Sequence, residues 1–211
     1  MRLVLASNNA KKLSELGAML SGMGIELVAQ AALGITEAEE PHATFIENGL
    51  AKARHAAAAS GAAAIADDSG LCVDALGGLP GVGSADFCPV ELPGGADRET
   101  RRRVQDAANN ALLLRQLQGT EDRRAFFIST LVAVRHAADP QPLLAVGRWP
   151  GCILHAPQGT LGFGYDPLMF IPEFGSSVAE LTAETKNLHS HRARAMAQMQ
   201  VLLRQAWGLG A

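Results

Sequence analysis

Cysteine is sparse in this chain, aromatic residues are sparse, and the charges nearly cancel; each shortage removes a class of function. The three cysteines, Cys72, Cys88 and Cys152, are odd in number, far apart and without a CxxC pair. They frame neither a disulfide scaffold nor a zinc site, and they fit a chain working in the reducing cytoplasm. Aromatic residues make up 5% of the 211 positions, so the core has to be packed from aliphatic side chains. Eighteen Lys and Arg against 21 Asp and Glu give a net charge of -3, which offers no basic footprint to a nucleic-acid polymer or an anionic membrane. A polyanionic ligand would have to be met locally. The opening "MRLVLASNN" carries too short an apolar run for a signal peptide, and no stretch approaches the roughly 20 apolar residues of a membrane span. No repeat, low-complexity tail or linker breaks the sequence. The expectation is one domain over residues 1–211, large enough to bury about 70% of its unfolded surface.

Hydrophobic spacing supplies the elements. Arg2 to Ala6 has strand length, and after "SNN" the residues Leu13, Leu16, Gly17 and Leu20 recur at helical spacing. "IELV" reads as a second strand. "ATFIENGLAKARHAAAAS" places Phe45, Ile46, Leu50, Ala53 and Ala57 on one stripe and stops at Gly61, a C-cap position. "AAAIA" is compatible with strand or helix, and the Asp-Ser-Gly that follows favours a strand ending there. Residues 77–97, rich in glycine and proline, read as a long loop. A helix over Thr100 to Gln118 would turn Val104, Ala107, Ala108, Ala111 and Leu114 inward. "AFFISTLVAVR" and "PLLAVGRW" read as two strands of a hairpin. "PQGTLGFGYDPLMFIPEFGSS" is irregular and precedes a last helix capped by Ser190, with Met196, Met199 and Leu203 on its apolar face.

Several short segments carry chemistry. "SNNAKK", Ser7 to Lys12, lies where strand gives way to helix, so free backbone N–H groups and the positive end of the helix dipole meet there. That suits phosphate, although Ser and Asn are also ordinary caps and the glycines of a Walker loop are missing. "EAEE" and "IADDSG" supply carboxylates from separate segments, the donor set a hard cation takes when water and phosphate complete its shell. Taken singly, the glutamates also suit a solvated loop and Asp-Asp-Ser-Gly a turn. If the strand persists this far, Asp67 and Asp68 point to opposite faces and only one serves a given site. "GFGYDP" sets Phe163 and Tyr165 in a glycine-flanked turn with Asp166, able to lay a ring against a base or to anchor a core. "KNLHSHR" brings Lys186, His191 and Arg192 to a helix start. His189 and His191 do not share a helix face, which argues against a zinc pair. Asn48 and Lys52, at i and i+4, read as an ordinary amphipathic surface.

In order, "LASNNAKKLSEL", "EAEE" before "TFIENGLAKA", "IADDSGL", "GGLPGV", "GFGYDP" and "LTAETKNLHSHR" resemble the Ham1-like inosine triphosphate pyrophosphatase family, also called noncanonical purine NTP pyrophosphatases. The resemblance implies an α/β fold: an elongated mixed β-sheet with flanking helices, in two lobes around a nucleotide cleft, and a homodimer. It implies magnesium-dependent hydrolysis of ITP, dITP and XTP to the monophosphate and pyrophosphate, which cleanses the nucleotide pool. Position by position, it places Ser7, Asn8, Asn9, Ala10, Lys11, Lys12 and Lys52 on the triphosphate, and Glu39 and Asp68 on magnesium. Asp68 is also the proton acceptor, and Ser69 touches substrate. Phe163, Gly164, Tyr165, Asp166, Lys186, His191 and Arg192 form the base and substrate pocket. The chain departs after "GGLPGV": where the family usually has an aromatic and then Ser-Ala-Arg, this chain has Gly83, Ser84, Ala85 and Asp86, an aspartate in place of the arginine. Two rival readings remain, a nucleotide-binding protein without turnover and a Maf-like pyrophosphatase of other modified nucleotides.

Overall fold

The computed structural model describes residues 1–91 and 94–210. Among these are seven strands: β1 (Arg2–Leu5), β2 (Glu26–Ala29), β3 (Ala64–Val73), β4 (Arg124–Val134), β5 (Leu143–Ile153), β6 (Met169–Ile171) and β7 (Ser176–Ser177). Five helices accompany them: α1 (Ala10–Leu20), α2 (Phe45–Ser60), α3 (Arg98–Gln116), α4 (Ala183–His189) and α5 (His191–Trp207). The strands lie in the order β2-β1-β3-β4-β5-β6-β7, an open sheet. It is mixed, because β1 runs parallel to β2 and β3 while β6 is antiparallel to β5 and β7. The expected α/β class is the observed one.

Contacts divide the chain into two compact units, residues 1–69, 129–148 and 187–211, and residues 70–128 and 149–186. In the first unit, strand alternation decides which helix each side chain meets. Leu3, Leu5, Ile65, Leu131 and Ala133 join Leu16 and Leu20 of α1 and Ala195, Met196, Met199 and Leu203 of α5 in one core. Val4, Ala64, Ala66, Val132 and Val134 join Ala53, Ala56 and Ala57 of α2 in another. The sheet is thus covered by α1 and α5 on one face and by α2 on the other. Small residues set how closely the layers approach. A Cβ on Gly147 of β5 would stand 2.1 Å from the His191 carbonyl oxygen and 2.4 Å from the Ala195 nitrogen, so α5 rests directly on strand backbone. Gly147→Ala is therefore expected to cost about 2–3 kcal/mol, measured as a lower urea midpoint; an unchanged midpoint would contradict this packing.

The second unit has its own core of Leu71, Val73, Leu113, Leu117, Phe127, Trp149, Ile153, Tyr165, Leu168 and Met169, among others.

Three expectations are corrected. β3 does not stop at Asp-Ser-Gly but runs on to Val73, because Leu71 and Val73 are themselves core residues of the second unit. In α3 the buried positions are Asn109 and Leu113, while Ala107 and Ala111 face outward. Alanines are weak indicators of orientation, and the inward side here mixes polar with apolar residues; Val104, Ala108 and Leu114 are half-buried as expected. In α2, Ile46 is exposed and Asn48, Gly49 and Lys52 are buried, so the supposed surface face is an inner one. The loop read over 77–97 includes Leu92 and Pro93, which lie outside the described residues; it contains a short 3-10 turn at Gly81–Gly83. The caps at Gly61 and Ser190 are as expected.

Candidate active site

The alternation that splits the core also splits the two aspartates. Asp67 has the parity of Ile65 and faces α1 and α5; Asp68 has the parity of Ala66 and faces α2.

Asp67 is buried, and every bond to it comes from its own unit. Its Oδ1 accepts from Ser129 Oγ at 2.7 Å, and its Oδ2 accepts from Arg192 Nε at 2.9 Å and lies 3.1 Å from Lys12 Nζ. Lys12 Nζ also donates to the Asp67 carbonyl oxygen at 3.1 Å. Burial pushes the Asp67 carboxyl up, but the charges of Arg192 and Lys12 and the Ser129 hydroxyl outweigh it and hold the group well below the usual carboxylate range. Arg192 is 3% exposed; its other nitrogens reach Glu15 and, at 3.2 Å, Ser69 Oγ. Lys12 is pulled below its ordinary value by burial, in spite of Asp67.

Asp68 presents a different surface. Its Oδ1 accepts from Lys52 Nζ at 2.7 Å, and the same ammonium reaches Glu40 Oε2 at 2.8 Å. Its Oδ2 is buried and has no hydrogen-bond partner among the described residues. Burial pushes the Asp68 carboxyl up to about 6, with the Lys52 charge opposing and the Glu40 charge adding to the rise. Burial lowers Lys52, yet Asp68 and Glu40 more than restore it.

Local sequence explains the placement. Gly49 brings α2 close to the sheet: a Cβ there would lie 3.0 Å from Val132 Cγ2 and 3.8 Å from Asp68 Cβ. Lys52, three residues on, therefore comes down over Asp68. Asn48 tethers the acidic segment, its Oδ1 accepting from His42 N–H at 3.0 Å and its Nδ2 donating to the His42 carbonyl at 3.1 Å. That tether brings Glu40 to Lys52. Glu39 is exposed and makes no hydrogen bond or ion pair with the described residues, so the glutamate at this cluster is the neighbour of the expected one.

The residues fit a hard divalent cation. They offer an orphaned buried carboxylate oxygen on Asp68 and a second carboxylate on Glu40, both oxygen donors. No three metal-binding side chains gather among the described residues, so such a cation would draw most of its shell from water and substrate.

At the start of α1, Asn9 is the N-cap, its Oδ1 accepting from Lys11 and Lys12 N–H at 3.0 and 3.3 Å. Ser7 Oγ accepts from Asn9 N–H at 3.2 Å. The cap reading of "SNNAKK" is thus realised, and Asn8 Oδ1 is left buried without a partner among the described residues. Ala10 opens the helix.

In the second unit, Phe163 and Tyr165 have parted company. Tyr165 is in the core and donates its hydroxyl to the Ser84 carbonyl at 3.0 Å; burial pushes its phenol up. Phe163 is half-buried. Asp166 Oδ2 accepts from Phe163 N–H at 2.9 Å and from Lys186 Nζ at 2.7 Å. Gly164 is held at both ends by α3, its N–H by Asp106 Oδ2 at 2.8 Å and its carbonyl by Asn110 Nδ2 at 2.9 Å. Asp86 is exposed, its backbone N–H bonded to the Gly83 carbonyl. Of the expected pocket, Phe163 to Asp166 and Lys186 belong to this unit, whereas His191 and Arg192 belong to the first. Sequence reasoning did not single out Glu15, Ser129, Asp106 or Asn110, and it set Asn48 aside as surface.

An open mixed-sheet α/β chain with a buried carboxylate–ammonium cluster beside a strand-to-helix anion cradle defines a class suited to phosphoanhydride chemistry. The sequence pattern of the Ham1 family matches residues 3–202, and the chain belongs to that family. It is 68% identical over 207 residues to a dITP/XTP pyrophosphatase of Methylibium petroleiphilum, covering 98% of this chain and 99% of that one. Among solved structures, a HAM1 protein from Coxiella burnetii is 36% identical with a TM-score of 0.84, covering 98% of this chain and 100% of that one. A nucleoside-triphosphatase / dITP/XTP pyrophosphatase from Mycobacterium abscessus is 41% identical with a TM-score of 0.70, covering 94% and 98%.

Proposed function

We propose that this chain hydrolyses ITP, dITP and XTP to the nucleoside monophosphate and pyrophosphate, clearing deaminated purines from the cytoplasmic nucleotide pool. The observation that carries the reading is the buried Oδ2 of Asp68, unpartnered among the described residues and beside the Lys52 ammonium, in a chain whose relatives bear the name dITP/XTP pyrophosphatase.

Asp68 takes a proton from a water whose oxygen forms a new bond to the α-phosphorus, while the bond from that phosphorus to the bridging oxygen breaks and pyrophosphate leaves. A carboxyl raised to about 6 remains mostly ionised at neutral pH and is a better proton acceptor than an ordinary one. Ser7, Asn8, Asn9 and the Ala10 N–H at the start of α1 bind phosphate oxygens, with Lys11, Lys12 and Lys52 offsetting charge on the departing pyrophosphate. Asp68 and Glu40 would hold the divalent cation, taken to be magnesium, which when bound neutralises triphosphate oxygens. Ser69, kept in place by Arg192, contacts the substrate.

Phe163 supplies a face for the base, with Gly164, Asp166, Lys186 and His191 as polar contacts. Tyr165 supports the turn from the core, and Arg192 acts through Asp67 and Ser69. Donors aimed at a 6-keto oxygen would face the 6-amino group of adenine unpaired, each such mismatch costing about 1–3 kcal/mol. We also take the working form to be a homodimer, a reading that light scattering of the purified chain would check.

Incubation with ITP, dITP, XTP, GTP and ATP plus magnesium, followed by pyrophosphate detection, tests the reaction. Release from the first three, at least about 30-fold faster than from ATP, is expected if two hydrogen bonds are mismatched. Equal turnover of ATP would overturn the specificity, and no release from any nucleotide would overturn the reaction.

A further inference from the structure

Helix α3 turns a polar stripe toward the Phe163 turn. Arg102, Asp106 and Asn110 recur at i, i+4 and i+8, so they lie along one helix face. Asp106 and Asn110 hold the two ends of Gly164, as described above. Arg102, one turn earlier, lies with its guanidinium carbon 4.9 Å from the centroid of the Phe163 ring. Lys186 Nζ is 5.3 Å from the same centroid, so two cations lie within cation–π distance of one ring.

The carboxylates near these cations are committed differently. Asp106 Oδ2 and Asp166 Oδ2 each accept a backbone N–H of the turn, from Gly164 and Phe163. Arg102 Nε is 3.8 Å from Asp106 Oδ2, beyond hydrogen-bonding distance, and is buried without a hydrogen-bond partner among the described residues. The formal charges of the four side chains cancel. They are paired unequally: Lys186 Nζ meets Asp166 Oδ2 at 2.7 Å, whereas Arg102 makes no hydrogen bond through its Nε to the described residues and lies against the ring.

Resting on the reading that Phe163 meets the purine, we propose that Arg102 is a specificity-determining residue that, with Lys186, favours the anionic base of XTP over the neutral base of ITP. Xanthine is the more acidic of the two bases and carries negative charge on its six-membered ring at neutral pH; hypoxanthine does not. A cation beside the ring on which the base stacks attracts the first and is nearly indifferent to the second. The guanidinium also has N–H donors for the additional 2-oxo group, which hypoxanthine lacks.

The test compares kcat/KM for XTP and ITP in the wild-type protein, Arg102→Gln and Arg102→Lys at one pH and ionic strength. Arg102→Gln is expected to lower the XTP/ITP ratio about tenfold, as the loss of one partly screened charge contact would. Arg102→Lys, which keeps the charge, should retain most of that ratio. A ratio unchanged in Arg102→Gln, or an equal fall for both nucleotides, would overturn the proposal, the latter marking Arg102 as a prop for the turn. Loss of the ratio in Arg102→Lys as well would assign the preference to guanidinium geometry and overturn the role of charge. A wild-type protein that releases pyrophosphate from neither nucleotide would instead overturn the proposed function itself.

Discussion

Asp68→Asn is expected to lower kcat for ITP about 10³-fold while the chain stays folded, since the amide can neither accept the proton of the attacking water nor give a divalent cation a charged ligand. The native carboxyl is buried and raised to about 6, so its ionised form is costly to the fold at neutral pH. Asparagine removes that cost, although Lys52 loses one of its two carboxylate partners. The two effects oppose each other, and the urea midpoint should move far less than the rate. Pyrophosphate release and urea unfolding on the same preparation check both halves. Retention of more than a tenth of wild-type kcat would remove Asp68 from the chemistry.

The residue before it should behave in the opposite sense. Asp67→Asn is expected to lower stability by about 3–5 kcal/mol, because it takes one charge out of a buried cluster and leaves Lys12 and part of Arg192 uncompensated. The wild-type protein should also lose stability in acid through this group. Its carboxyl is held below the usual range in the folded state, so the unfolded chain binds the proton first. The stabilisation is complete above about pH 4, where an unfolded aspartate is already ionised, and is lost as pH falls below that. Asp67→Asn should flatten that part of the profile. Urea unfolding from neutral to acid pH gives both readings, and a loss under about 1 kcal/mol would show that Glu15 and Ser129 reorganise to replace the carboxylate.

Motif order made the family and the α/β class legible in the sequence, because the motifs sit at strand ends and helix starts, where backbone geometry constrains residue choice. The opposed roles of Asp67 and Asp68 were accessible through strand alternation once the strand was seen to continue. That Glu40, and not Glu39, meets Lys52 was not. It depends on how Asn48 ties down a segment without regular structure, and no periodicity encodes a tether between a helix and a loop. The α2 face escaped for a related reason: Asn48 and Lys52 look like surface to any hydropathy argument, since their burial is offset by partners distant in sequence. In α3 the stripe that meets the Phe163 turn is charged and polar, so it read as the solvent side. Arg192, expected against substrate, bonds Asp67, Glu15 and Ser69, partners that a local spacing argument could not anticipate.

Gly49 carries a mechanical consequence. It is the thin point between α2 and the sheet, with Val132 Cγ2 only 3.0 Å from where a methyl would stand. A side chain at this position would act as a shim, and its thickness would be transmitted along a rigid helix to the Lys52 ammonium less than one turn away. Catalytic strength could thus be graded, in small steps and without altering any reacting group, by the volume placed at a position that never touches substrate.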